Sequence, residues 1–403
     1  MVAVRERIRI NGRPISEEDF AKFFFEVWDR LEASPERRYP ETPEKPMYFR
    51  FVTLVAFHAF LSLKVDATIL EVGVGGTYDS TNIVPKPVVT GITSLGFDHQ
   101  GVLGKTLPEI AWQKGGIYKE GVPALTVNQP EDAMEVLRQR AEELKASEFK
   151  LVPAVGLSDI KLGLAGVHQV SNACLAVAMA QTFLERQTHI KLEPTLSRAF
   201  IEGLEQVRWP GRCQTIQDPK GRTTWFLDGA HTVESLDCCI RWFVSPGVGL
   251  PLDTSQRPTR VLLFNITHGR SGQAFLGAME AAKLAQLKLH RRDEDQEMFF
   301  SHVIFCTNTT YASGSSKSDL VAVSTTDEER LTTQQELASA WSTLKPTFPV
   351  SHMHVVPTIE HAVKTIDAIG QQAGSAGVYA LVTGSLHLVG GLIEAASLSD
   401  VAL

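Results

Sequence analysis

The chain has 403 residues, of which 43% are apolar and 21% charged, and its formal net charge is -7. That length exceeds what one core ordinarily supports, so two domains are expected, and the composition is that of a globular protein. The acidic balance excludes recognition of nucleic acid through its phosphates, which needs a surplus of Lys and Arg.

Five cysteines, Cys174, Cys213, Cys238, Cys239 and Cys306, include no C-x-x-C pair. They read as reduced core residues of a cytosol-like compartment. No apolar run is long enough and free enough of charge to span a membrane. The opening M-V-A-V-R-E-R-I-R-I alternates like a strand over 4–10 and has no apolar core of a signal peptide.

Ser16 precedes a segment in which Phe20, Phe23, Phe24, Val27 and Leu31 share one face, with Asp19 at the capping-box position, so an amphipathic helix is expected. Its aromatics read as core rather than as a platform for bases. Pro35, Pro40, Pro43 and Pro46 mark a loop. Residues 48–63 are apolar on nearly every side and predict a buried helix.

The stretch 66–82, D-A-T-I-L-E-V-G-V-G-G-T-Y-D-S-T-N, follows. Residues 67–72 form a short β-branched apolar run before a glycine cluster, which predicts a buried strand and a tight turn. Its one acid, Glu71, would then stand at the carboxyl end of a strand, where open α/β sheets bind ligands. A carboxylate there needs a metal ion or a donor as partner. Gly73, Gly75 and Gly76 suit close backbone approach, and Asp79, Thr81 and Asn82 supply oxygen ligands or cap groups. Glycine turns after strands are common, so a site and a plain turn both fit.

A second strand over 87–95 ends in G-F-D-H-Q, which puts His99 just past a strand end. A lone His is more often a satisfied structural residue, but Glu and His at two strand ends suit a divalent cation. Thr106 and Glu109 form a capping box that opens P-E-I-A-W-Q-K-G-G. Lys114, in the last turn, complements the helix dipole on the plainest reading. A strand over 122–127, a charged solvent-facing helix over 131–146 and a strand over 150–155 continue the alternation that makes a parallel sheet. The segment 168–186, H-Q-V-S-N-A-C-L-A-V-A-M-A-Q-T-F-L-E-R, is helical, and Asn172 either caps a local group or reaches a ligand.

W-P-G-R, 209–212, is the expected domain joint. Strands over 223–227, 260–264, 302–307, 352–356 and 378–382 then alternate with helices from Val233, over 273–287, from Gln334 and from Glu360. That pattern predicts a second doubly wound domain. Asp228 stands at a strand end in F-L-D-G-A-H. Insertions over 244–257 and 291–297 read as polar surface loops. S-G-S-S-K, 313–317, reads as a flexible loop or an anion cradle, and Gly384, Gly390 and Gly391 resemble a phosphate turn only weakly.

Taken together, E-V-G-V-G-G-x-x-D-x-T-N, G-x-D-H, A-W-Q-K-G-G, H-Q-x-x-N, W-P-G-R and D-G-A-H, in this order, resemble the folylpolyglutamate synthases, most closely their eukaryotic form, within the wider Mur-ligase family. The resemblance covers nearly the whole chain. It implies an α/β protein of two doubly wound, mainly parallel-sheet domains. An ATP- and folate-binding domain would occupy 1–208 and a Rossmann-like glutamate-ligase domain 209–403. The implied reaction is ATP-dependent addition of L-glutamate to the γ-carboxylate of a folate's glutamate tail through an acyl phosphate. Phosphoryl transfer between anions is mostly positioning and charge neutralisation, which Mg²⁺ on strand-end ligands would provide.

Carried over position by position, the resemblance makes Glu71 and His99 ligands of Mg²⁺, and Lys114 a lysine that can be carbamylated. It makes Asn172, Arg212 and Asp228 ATP-binding residues, with Arg212 toward phosphate and Asp228 toward the adenosine, and places His231 close to the nucleotide. Arg5 and Arg7 would hold the anionic folate tail. A monovalent cation is a further cofactor that the resemblance leaves open. A monomer in the cytoplasm or the mitochondrion is implied, with folate and glutamate as small-molecule partners.

One departure matters. The family's Walker-type loop, expected upstream of 4–10, has no G-x-x-x-x-G-K-S/T counterpart in the sequence. The favoured explanation is a sequence that begins at an internal Met; a true truncation and a protein that no longer ligates are the others. Losing one oxyanion donor alone can cost a rate factor of about 100 or more. The rival readings are a folate- or nucleotide-binding pseudoenzyme, a dihydrofolate synthase, and a methyltransferase using S-adenosylmethionine. The last matches the acid-x-G-x-G-G turn but leaves W-P-G-R and D-G-A-H unexplained.

Overall fold

The computed structural model describes residues 3–34, 39–193, 195–219, 221–253, 255, 258–266, 271–313, 327–373 and 377–402. Within the candidate anion cradle only Ser313 is described; 314–317 lie outside. The chain divides into two compact units: Arg5–Ser158 with Ser171–Leu196, and Met1–Val4 with Asp159–Val170 and Ser197–Leu403.

The first described element is a 3-10 turn, Val4–Arg7, rather than the strand expected over 4–10. The Ile8 amide donates to the Arg5 carbonyl at 3.0 Å, and Ala3, Glu6 and Ile8 are buried, so burial here does not follow the alternation that suggested a strand. Two residues each of β1 (Arg9–Ile10) and β2 (Arg13–Pro14) then pair antiparallel. Helix α1 (Glu17–Glu32) starts where the Ser16 hydroxyl accepts from the Asp19 amide, and buries Phe23 and Val27. Helix α2 (Tyr48–Leu63) stops at Lys64, which is left-handed with φ 53°. It is less buried than its composition predicts: Phe51, Val52, Val55 and Ala59 are inside while Leu61 is 78% exposed.

The largest departure is at residues 67–72, which carry the run that looks most like a strand. They belong to no sheet, and Ile69 is 94% exposed. β-branched residues favour an extended chain, but a strand exists only by pairing with a neighbour, and no described strand pairs with this stretch. A 3-10 turn at Ser80–Ile83 precedes β3 (Thr90–Ile92), shorter than the strand expected over 87–95. After α3 (Gln100–Leu103) and α4 (Leu107–Gly115) come β4 (Pro123–Thr126), α5 (Glu131–Glu143) and β5 (Glu148–Leu151). Strands β3, β4 and β5 make a parallel three-stranded sheet. Helix α5 is not simply solvent-facing, because Ala133, Leu137 and Ala141 pack on Tyr118 and Ala124. Helix α6 (His168–Thr188) runs two residues past its expected end.

In the C-terminal unit α7 (Arg198–Gln206) leads to β6 (Gln214–Gln217), β7 (Thr223–Leu227), α8 (Val233–Phe243), β8 (Thr259–Phe264), α9 (Gly272–Leu289) and β9 (His302–Cys306). Helix α10 (Asp327–Leu344), β10 (Met353–Val356), α11 (Ile359–Gln372), β11 (Val378–Thr383), α12 (Leu386–Ala395) and α13 (Ser399–Ala402) complete it. The sheet order is β10-β9-β8-β11-β7-β6, with only β6 antiparallel. Its central strands are apolar on both faces, as a sheet covered on two sides requires. Helices α8, α9 and α10 cover one face through Phe243, Leu276 and Trp341, and α11 and α12 the other through Ile366 and Leu392.

The two insertions are anchored rather than merely superficial. Val244 and Leu250 are fully buried at the start of the first. In the second, Glu294 pairs with Arg260 at 3.1 Å, and the Gln296 carbonyl accepts from both Lys283 (2.9 Å) and Lys345 (3.0 Å). Both lysines also meet the buried Glu280, at 2.6 and 2.7 Å. A polar composition suggested free loops because the cations that bind them come from strands and helices distant in sequence.

Candidate active site

In the N-terminal unit the glycine turn after residue 72 folds onto the end of α4. Gly75 has φ +72°, and a Cβ at Gly76 would lie 2.8 Å from the Gln113 and Lys114 carbonyl oxygens, so the close approach requires the absence of a side chain. The Thr77 amide donates to the Gln113 carbonyl at 2.9 Å. Asp79 is spent on the turn: one oxygen accepts from the Gly73 and Val74 amides, the other from the Thr81 amide and hydroxyl. Asn82 donates to the Thr77 and Gly116 carbonyls. These side chains hold the loop in shape, which is the cap role rather than the ligand role. Glu71, just ahead of them, is exposed.

Helix α4 begins with the expected box, Thr106 accepting from the Glu109 amide while the Glu109 carboxylate accepts from Thr106 and Lys105 amides. Those donors hold the Glu109 carboxyl below the usual carboxylate range. Lys114 sits in the last turn, half-buried, and burial lowers its pKa while the charge of Asp98 opposes that shift. Asp98 also lies 3.5 Å from His99 Nε2. His99 is left-handed at φ 50° and caps α3. Lys114 and His99 are thus linked through Asp98, a residue that the sequence reading quoted only as part of G-x-D-H. Glu71 is exposed just ahead of the glycine turn, and no described contact joins it to them. Among the described residues no three ligand-type side chains converge on one point.

Arg5 donates to the Ile15 carbonyl at 3.1 Å and lies 3.6 Å from Glu17, and Arg7 stands over the Tyr48 ring at 5.8 Å. Asn172 is half-buried on the second turn of α6.

In the C-terminal unit the W-P-G-R turn is built on two left-handed residues, Gly211 at φ 70° and Cys213 at φ 45°. It is pinned to the end of β7, where the Gly229 amide donates to the Gly211 carbonyl at 2.8 Å. Asp228 is buried, and its carboxylate accepts from the Cys213 amide at 2.7 Å and from the Ala230 amide at 2.9 Å. Arg212 is half-buried and makes one hydrogen bond, a 3.3 Å donation to the Gly211 carbonyl; no described acid pairs with it. A guanidinium has five N–H donors, so this one keeps most of its capacity for an anion. Gly229 leaves room for it, since a Cβ there would lie 2.6 Å from Arg212 Nη1.

His231 follows on the same turn, its Nδ1 2.9 Å from the Gly229 carbonyl and its amide donating to Ser235 Oγ at 3.0 Å. That contact fixes Nδ1 as the protonated nitrogen. Thr232 and Ser235 form a second capping box at the start of α8. His168, which the motif H-Q-x-x-N contains but sequence reasoning gave no role, lies close to Cys213, the residue after Arg212: a Cβ at Gly166 would stand 3.0 Å from His168 Nδ1 and 3.3 Å from Cys213 Sγ, and the charges of Asp228 and Arg212 both act on the ring. Arg212, Asp228, His231 and His168 therefore gather in one unit around the carboxyl end of β7, where open parallel sheets bind ligands.

No family model matches the sequence. Among curated proteins, the folylpolyglutamate synthase of Neurospora crassa is 44% identical over 407 residues, covering 98% of this chain and 72% of that protein. The probable folylpolyglutamate synthase of Schizosaccharomyces pombe is 42% identical, covering 97% and 74%. Among solved structures, the Mycobacterium tuberculosis folylpolyglutamate synthase complexed with ADP and AMPPCP superposes with a TM-score of 0.68 at 21% identity, over 97% of this chain and 82% of that one. The Thermotoga maritima folylpolyglutamate synthase gives 0.65 at 22%, over 99% and 81%. At those identities the structures establish the fold, a Mur-ligase type with two α/β domains, and the curated relatives establish descent: this chain belongs to the folylpolyglutamate synthase family.

Proposed function

We propose that the chain binds ATP and works as an ATP-dependent ligase that joins L-glutamate to the γ-carboxylate of a folate through an acyl phosphate. The observation that carries this reading is the half-buried, largely unengaged guanidinium of Arg212 beside the buried carboxylate of Asp228 in the D-G-A-H turn. Such a cation attracts a phosphate, and the rigid turn keeps it aimed. Asp228 supports the nucleotide's sugar side by holding the turn in place, and His231 stands near the phosphates. Asn172 remains a proposed nucleotide-binding residue.

Lys114 fits its proposed role because burial favours its neutral amine, the form that adds carbon dioxide to give a carbamate. Magnesium keeps several waters and is held by one or two carboxylates plus substrate phosphates, so Glu71 with His99 fits an ion that arrives with the nucleotide rather than a dedicated cage. When bound, that ion would neutralise charge on the phosphoryl group being transferred. Arg5 and Arg7 remain the proposed contacts for the anionic tail of the folate. The proposed domain division is 1–208 and 209–403, with a monomer in the cytoplasm or mitochondrion.

A second reading is nucleotide or folate binding without ligation. One assay separates the two. The purified chain is incubated with ATP, Mg²⁺, a reduced folate and labelled glutamate, beside a version carrying upstream coding sequence. Incorporation by either supports the ligase; incorporation by the longer version alone assigns the phosphate cradle to the added segment. Nucleotide binding with no incorporation by either supports the second reading.

A further inference from the structure

We infer that His168 is a ligand-contacting residue of the nucleotide subsite, donating through its Nε2–H to the same phosphate that Arg212 attracts. The inference rests on the nucleotide reading of Arg212 and adds a residue to it.

His168 opens α6, two residues after Gly166, whose φ of +103° and missing side chain let the chain close over the ring. A Cβ at Gly166 would stand 2.6 Å from the His168 Cε1 and 3.0 Å from its Nδ1. The ring is thus held by backbone rather than by a hydrogen bond. Its Nδ1 is fully buried with no hydrogen-bond partner. A neutral imidazole has one N–H and one lone pair, and orphaned buried N–H groups are rarer than orphaned acceptors. The lone pair therefore occupies Nδ1 and the proton Nε2.

The electrostatic surroundings agree. Burial lowers the pKa of His168; Asp228 opposes the shift and Arg212 adds to it. The ring is neutral at pH 7 and offers a donor without a charge that would repel Arg212. Each Asp228 oxygen accepts one backbone amide, from Cys213 and from Ala230, and no described hydrogen bond joins the carboxylate to His168. Toward a ligand the cluster offers two side-chain donors, Arg212 and His168 Nε2. A group that only accepts, such as a phosphate, complements it.

The test uses the split between two amides. A glutamine side chain places its NH₂ near the position of Nε2, and an asparagine places its own near Nδ1. Binding of ADP and of inorganic pyrophosphate to the full chain is measured by calorimetry for the wild type, His168→Gln, His168→Asn and Arg212→Gln, with thermal melts to confirm folding. The expected result is His168→Gln within about threefold of wild type and His168→Asn weaker by about tenfold for both ligands, the loss of one donor to a charged acceptor. A folded His168→Asn that binds both ligands like the wild type, while Arg212→Gln weakens them, overturns the role of His168 and leaves the nucleotide reading standing. A wild-type chain that takes up neither ligand, or an Arg212→Gln without effect, overturns the nucleotide reading and the assignment of His168 with it.

Discussion

Replacing Asp228 is predicted to damage the fold before it damages any chemistry. The carboxylate is 7% exposed and accepts two backbone amides, at 2.7 Å from Cys213 and 2.9 Å from Ala230. Hydrogen bonds to a charged group contribute about 1.5–3 kcal/mol each. Asp228→Ala removes both and leaves two buried donors unpaired, which puts the loss at about 3–6 kcal/mol, a large part of the roughly 5–15 kcal/mol that a domain possesses. Asp228→Asn keeps one acceptor and turns its NH₂ toward the other amide, so about half of that loss is expected. Urea titration followed by tryptophan emission measures both, because Trp225, Trp242 and Trp341 are buried in the same unit. An Asp228→Ala protein within about 1 kcal/mol of wild type would show that the carboxylate does not hold the W-P-G-R turn to β7.

Three further outcomes are expected. Glu280→Gln should cost about 3–5 kcal/mol in the same titration, since Glu280 is the shared partner of the buried Lys283 and Lys345; a loss below about 1 kcal/mol would mean that water reaches the cluster. Burial, with His352 and His354 as neighbours, pushes the pKa of His302 down to about 4 from 6.5. The folded chain therefore binds fewer protons there than the unfolded one, so this contribution is intact above pH 6.5 and is lost as pH falls through 4. Thermal melts across that window should decline less steeply in His302→Gln, and an unchanged slope would refute the assignment. Ile69→Lys should shift stability by no more than about 0.5 kcal/mol, as at any open surface site, and a loss above about 2 kcal/mol would show that something covers the stretch.

The C-terminal unit was legible because its central parallel strands are buried on both faces, so that continuous apolar runs such as V-L-L-F and V-I-F-C stand out between amphipathic helices. The capping boxes at Thr106 and Thr232 differ in legibility for a chemical reason. The first ends in Glu109, the usual reach-back acid, while the second uses Ser235, whose short side chain does not announce itself. Residues 67–72 misled because composition records the preference for an extended chain and not the presence of a neighbour to bond with. In the site, Arg212 and Asp228 were marked by motif, and what no motif could show is that one is nearly unengaged while the other already holds two backbone amides. His168 and Asp98 were inside quoted motifs, yet their importance comes from which charges they face, and folding alone decides that.

The second insertion carries Arg291, Arg292, Asp293, Glu294 and Asp295 in a row, a run that trypsin and acid-specific proteases would favour in an unfolded chain. It is tied down at three points: Arg292 to the Pro251 carbonyl, Glu294 to Arg260, and the Gln296 carbonyl to two ammonium groups, Lys283 on α9 and Lys345 just past α10. A protease needs an extended segment in its cleft, and freeing one here means breaking the same bonds that join two helices of the layer. Cleavage at this run should then keep pace with melting of the whole unit instead of outrunning it as at a frayed loop, which makes limited digestion a direct clock for the stability of the C-terminal domain.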